Sequence, residues 1–210
     1  MNKILPLGLM LVLISGCLTP TGPLKVEGGL DPAEYPGARL AVTGLTSDVK
    51  EEGWRDDRVG LGLRSILSQL FHEYGSFLLV EEKEEIRRQL EVLAKASWQT
   101  AGEGVPPPDL PGTDLVAHGR IIFYGKPQVS LNAGPLHART DTVIIRLAVT
   151  LEDPVTGAYR RAEAEGAASV TAGSALFTYR EDGLDLSAST VGTATRKALE
   201  AAVAAILSRE

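Results

Sequence analysis

Apolar and polar positions along this chain alternate with two different periods. From Val59 the apolar residues Val59, Leu63, Ile66, Leu67, Leu70, Phe71 and Tyr74 recur every three or four positions. That spacing predicts a one-sided helix over 58–74, with Asp57 placed to cap its start and Gly75 to stop it. A second helix is predicted over 83–97, with Ile86, Leu90 and Leu93 inward and Glu84, Glu85, Arg87 and Arg88 in water. A third, about 191–208, packs Val191, Ala198, Ala202, Val203, Ile206 and Leu207. Between them lie extended segments: Arg39–Val42, Phe77–Val80, Asp114–Tyr124 and Thr142–Glu152. The last alternates cleanly, with Val143, Ile145, Leu147, Val149 and Leu151 on one side. Pro154–Gly157 reads as a turn, after which a further extended segment begins at Ala158. Residues 43–57 read as a polar loop holding Trp54. Residues 99–113, with four prolines and three glycines, read as another loop. The expected fold is α+β: a mainly antiparallel sheet flanked by three helices, loosely three layers α/β/α, with no internal repeat and no second domain.

Two more stretches have the period of strands. In 123–142, Phe123, Gly125, Pro127, Val129, Leu131 and Ala133 alternate with Tyr124, Lys126, Gln128, Ser130 and Asn132. After a turn at 132–135, Leu136, Ala138, Thr140 and Thr142 alternate with His137, Arg139 and Asp141. In 166–190, Gly166, Ala168, Val170 and Ala172 alternate with Glu165 just before them and with Ser169 and Thr171. Ala175, Phe177 and Tyr179 then lead to a turn at Asp182-Gly183, and Leu184, Leu186 and Ala188 return. An apolar-out, polar-in dyad of this kind belongs to a membrane barrel strand. The edge hairpin of a water-soluble sheet, with one face packed and one wet, has the same dyad. Both readings stand at this level, and 123–142 and 166–190 are candidate membrane β-hairpins.

The N-terminus changes the picture. Lys3 precedes an apolar run, Ile4 to Ile14, too short to cross a bilayer, which takes about 20 residues, but suited to a secretory signal. It ends Ile14-Ser15-Gly16-Cys17, which resembles the lipobox of bacterial lipoproteins, and Cys17 is the only cysteine of the 210 residues. This marks 1–16 as a signal peptide and Cys17 as an acylated anchor, since two or more acyl chains hold a protein stably on a membrane. Loss of Lys3 with the leader moves the formal net charge from −6 to −7. Residues 17–36, with their prolines and glycines, read as a lipidated tether to a body at 37–210. In lipoproteins an Asp after the cysteine often marks inner-membrane retention. Leu18 stands there instead, so the resemblance implies the outer membrane.

Composition excludes several functions. An acidic chain has no surplus of Lys and Arg to neutralise phosphates, which argues against nucleic acid. One cysteine leaves no internal disulfide. His72, His118 and His137 are scattered without metal-ligand spacing, and no metal or cofactor is expected. Gly60-Leu61-Gly62 lacks the third glycine of a dinucleotide fingerprint, and neither a phosphate-cradling loop nor a nucleophile elbow occurs. The Glu81–Glu85 run reads as a solvated helix start, where acids favour the dipole. The chain is therefore not expected to be an enzyme.

The order of elements resembles the CsgG-like outer-membrane lipoproteins, the family of the curli secretion channel, from about Gly37 to Leu207. The pieces are Thr113-Asp114-Leu115-Val116-Ala117-His118-Gly119-Arg120-Ile121-Ile122, then Arg146 to Gly157 with its Asp153-Pro154-Val155-Thr156-Gly157 turn. Ala172-Gly173 with Phe177 and Tyr179, and the Ala-rich last helix, complete them. The resemblance implies lipidated subunits in a homo-oligomeric ring that contribute hairpins to a shared outer-membrane barrel, with the body in the periplasm. The cargo would be an exported polypeptide or polymer. Trp54 becomes the candidate constriction, amid Glu51, Glu52, Asp56 and Asp57, and Phe177 and Tyr179 a candidate membrane girdle. Periplasmic relatives share the core fold, so the alternative is a soluble lipoprotein scaffold or activator of an envelope machine.

Overall fold

The computed structural model describes residues 22–50, 57–82, 84–99, 112–133, 136–173 and 189–208. Seven strands form one mixed sheet. They are β1 (Gly22–Gly28), β2 (Arg39–Ser47), β3 (Leu78–Leu79), β4 (Leu115–Gly125), β5 (Gln128–Ala133), β6 (Leu136–Glu152) and β7 (Tyr159–Gly173). The helices are α1 (Asp57–Tyr74), α2 (Glu84–Gln99) and α3 (Thr190–Leu207). The strand order is β1-β7-β6-β4-β2-β3, with β5 also paired to β6. β2 runs parallel to β3 and β4; the other pairs are antiparallel. The α+β architecture expected from the sequence is the one observed.

One face of the sheet is the floor of the main core. Ile121, Ile145, Leu147, Leu151, Ala162 and Ala164 project from it and are fully covered. α1 meets this face with Leu63, Leu67, Leu70 and Phe71, and α3 with Ala198, Leu199, Ala202, Val203 and Ile206. α3 is capped at its start by Ser189, whose hydroxyl accepts from the Gly192 N–H at 3.0 Å. α2 lies on the opposite face, over β2 alone, where Leu90 packs on Ala41. Gly44, with φ +131°, lets α2 come close: a Cβ there would stand 2.9 Å from the Ala94 Cα. The third layer is thus local, and among the described residues no helix covers the rest of that face, on β4, β6 and β7, which is called the open face below.

Three segments differ from the sequence reading. Residues 22–28, expected in the tether, form the edge strand β1 on β7, with Leu30 just beyond it buried. A bulge at Leu24 breaks the alternation, and an edge strand with one neighbour needs little inward surface to be held. Residues 43–47, expected in a loop, continue β2. A register shift between Val42 and Gly44 breaks the alternation here too. With both faces covered, Thr43, Thr46 and Ser47 are buried despite their hydroxyls. Finally, the returning strand of the 123–142 hairpin and the strand expected from Thr142 are one continuous strand, β6, from Leu136.

A buried ion pair ties α1 to the sheet. Arg64, 5% exposed, donates from Nε to the Val42 carbonyl at 2.8 Å, and its Nη2 lies 2.8 Å from Glu81 Oε1. Ser68 donates to the same carboxylate oxygen at 2.8 Å. Burial pulls the guanidinium below its ordinary pKa, partly offset by Glu81 and Glu91.

Candidate functional site

The sheet does not end where the body ends. β2 accompanies β4 only as far as Ile121, and β1 accompanies β7 only as far as Glu165. Beyond those points β6 runs on between β5 and β7 as a three-stranded ribbon. Among the described residues no strand pairs with the outer side of β5, or with that of β7 past Glu165. Within the described residues each side is thus an edge, with backbone donors and acceptors left for a further strand.

The register decides which residues share a face, because positions directly opposite one another in antiparallel strands point the same way. Val129, Thr140 and Thr171 form one rung, and Leu131, Ala138 and Gly173 another. The rungs between them are Gln128–Asp141–Val170 and Ser130–Arg139–Ala172. One face of the ribbon therefore carries no ionisable residue, while the other holds Asp141 and Arg139. The apolar alternates of β5 and β6, read separately along the sequence, meet in the same rungs. Those of β7 do not join them: Gly166 and Ala168 face the core under α3, and Val170, half exposed, continues that side. A Cβ on Gly166 would sit 2.1 Å from the Ala194 carbonyl oxygen.

The uncharged face of the ribbon runs into the open face of the body, and the change is abrupt. At the base, Phe123, 46% exposed, pairs across the strands with Arg146, whose guanidinium carbon stands 5.8 Å from the ring centroid. Arg146 also donates to Glu165 on β7 at 3.0 Å. On the other face at the same level the Lys126 ammonium stands 5.2 Å from the Tyr124 ring centroid. Below this rung the open face carries ion pairs: Arg120 grips Asp48 at 2.9 and 3.0 Å, Arg161 meets Glu163 at 2.9 Å, and Lys25 meets Glu27 on β1. These pairs are matched across a wet surface and hold one another in place without adding much stability.

His118 sits on this face of β4, opposite Thr150. Burial pushes its imidazole below the usual histidine range; Glu152 opposes that shift and Arg161 adds to it. His72 is exposed near the end of α1, and His137 lies in β6, so the fold does not gather the three histidines. Among the described residues no group of three His, Cys, Asp or Glu side chains is placed to hold a metal, and no helix is long and apolar enough to cross a membrane. A shallow depression of about 450 Å³ on the flank of α2 is lined by Arg88, Gln89, Val92, Leu93 and Ala96.

Cys17, Trp54, Phe177 and Tyr179, the residues singled out from the sequence, lie outside the described residues. The 123–142 hairpin is described except at 134–135, and 166–190 is described only to Gly173 and from Ser189. Sequence reasoning passed over Arg146 and Glu165, since both looked like ordinary outward charges of a sheet. Only the register puts them on one rung with Phe123.

This architecture is an α+β body with a sheet that projects past it. No protein-family model matches the chain, and no curated protein matches it. Among solved structures it is similar to the PelC dodecamer from Paraburkholderia phytofirmans, with 12% identity over 88% of this chain and 99% of that one and a TM-score of 0.43. It is also similar to the lipoprotein GNA1162 from Neisseria meningitidis, with 17% identity over 67% and 87% of the two chains and a TM-score of 0.32. A hypothetical protein, CT253 from Chlamydia trachomatis, matches with 12% identity over 81% and 96%, TM-score 0.39.

Proposed function

We propose that this chain is a lipoprotein of the outer membrane, anchored by acylated Cys17, whose copies assemble into a ring with the body in the periplasm. The ribbons of neighbouring copies pair edge to edge and make a pore through which a polypeptide or polymer is exported. The observation that carries the reading is the ribbon itself: three strands that run past the body, with an edge on either side among the described residues, one face without charge, and a polar face bearing Asp141 and Arg139. A strand wall of a membrane barrel has this division, apolar toward lipid and polar toward the lumen, and closing a ring removes the edges. No chemistry is catalysed; the pore works by exclusion and guidance. Trp54 narrows it, and Phe177 and Tyr179 stand at the interface near the second hairpin's tip.

A second reading is favoured by one observation. Gly166 and Ala168 pack against the body, so the base of the 166–190 hairpin belongs to the core. A lipoprotein scaffold or activator of an envelope machine, with the ribbon contacting protein, needs no more than that. Planar-bilayer conductance separates the two. Lipidated oligomer is expected to give discrete steps proportional to salt concentration. The same oligomer with residues 129–140 replaced by Asn-Gly is expected to give none. A silent bilayer from well-formed wild-type rings would overturn the pore.

A further inference from the structure

We infer that the Phe123–Arg146–Glu165 rung is the water-lipid boundary of the protein, the level at which its sheet leaves the periplasm and enters the bilayer. This rests on the reading that the ribbon enters the membrane, and goes beyond it in saying where. Three observations meet at this rung. First, it is the last rung of the open face, going toward the tip, that holds ionisable residues; the next, Gly125–Ile144–Ala167, holds none, and neither do Val129–Thr140–Thr171 and Leu131–Ala138–Gly173. Second, the nine residues from Leu136 to Ile144 reach the lower end of what a tilted barrel strand uses, about 9–11. Third, the rung has the chemistry of the headgroup region. Phe123 offers a half-exposed ring, and Arg146 holds its guanidinium carbon 5.8 Å from the centroid of that ring while donating to Glu165. An aromatic beside a cation that snorkels toward water is what fixes membrane proteins at an interface. Tyr124 and Lys126 stand at the same level on the other face, which turns to the lumen.

The partner is the headgroup layer of a phospholipid bilayer, with a phosphate oxygen within reach of Arg146 when Glu165 shares it. Phe123 and Arg146 thus supply, on the periplasmic side, an interfacial level that the sequence assigns only to Phe177 and Tyr179.

The test is a depth profile in the lipidated oligomer reconstituted in phosphatidylethanolamine/phosphatidylglycerol vesicles. With Cys17 acylated, Thr150→Cys, Ile144→Cys, Ser169→Cys and Leu131→Cys each carry one nitroxide, read by relaxation with oxygen and with a water-soluble nickel chelate. Thr150 is expected to report water, Ser169 and Leu131 lipid, and Ile144 the crossover. Phe123→Ser is expected to spread the crossover over several rungs, and Phe123→Trp to restore it. A crossover displaced toward the tip, with Ser169 in water and Leu131 in lipid, would overturn the collar and leave the inserted ribbon standing. All four labels in water would overturn both.

Discussion

His118 illustrates how much one side chain's setting can be read from neighbours rather than from type. The sequence says little about its surroundings; the fold places it on β4, opposite Thr150. What the fold adds is a neutral imidazole on β4, held below its ordinary pKa chiefly by burial. The sign of the linkage follows. As pH falls through about 6.5 the unfolded chain takes up a proton that the folded His118 refuses. Stability conferred by the buried neutral ring is complete above that pH and is lost as pH falls toward the folded pKa. The urea midpoint is therefore expected to fall between pH 7 and pH 5, and His118→Gln to flatten that slope. An unchanged slope in the variant would contradict it. Asp153 acts in a lower window. Burial pushes its carboxyl up, but hydrogen bonds from Thr156, from the Val155 and Thr156 N–H groups and from Tyr35 outweigh it and hold it below the usual range. That contribution is present above the unfolded carboxylate pKa and lost in acid below it.

At the scale of elements, period-two patterning says which residues of a strand share a face, but not which face. The 123–142 alternation was legible because β5 and β6 pair so that its apolar alternates fall on common rungs. The 166–173 alternation was equally regular, yet Gly166 and Ala168 turn toward α3. A one-residue choice of register exchanges core and open face, and no composition records it. β1 and the second half of β2 went unread for a related reason: bulges at Leu24 and before Gly44 break the period that would have announced them. The helices, with unbroken periods, were read to within a residue or two at most ends. This decides how the ribbon is best removed. Cutting out 166–190 would take Gly166 and Ala168 from under α3 and expose the core. Replacing 129–140 by Asn-Gly keeps Gln128 opposite Asp141 as the closing rung of a two-residue hairpin. The second variant is expected to unfold within a few degrees of wild type, measured by thermal melting of the solubilised protein, while a large drop would mean that the ribbon belongs to the cooperative body.

For the whole molecule, the described parts arrange themselves along one axis. At one end the Asp153–Gly157 turn joins β6 to β7; toward the other come the ion-paired open face, the Phe123–Arg146–Glu165 rung and the uncharged rungs of the ribbon. This polarity was not legible from charge totals, since acids and bases offset one another along and across the strands of the open face. The central claim, that the ribbon crosses a bilayer as part of a ring, is tested most directly by electron cryomicroscopy of the lipidated oligomer in lipid nanodiscs. The expected map shows a closed barrel through the disc, each subunit contributing β5–β6–β7 and the strands that follow, with the Phe123–Arg146 rung at headgroup level. A ring lying on the disc with its ribbons in solvent, or folded against neighbouring subunits outside the bilayer, would contradict it.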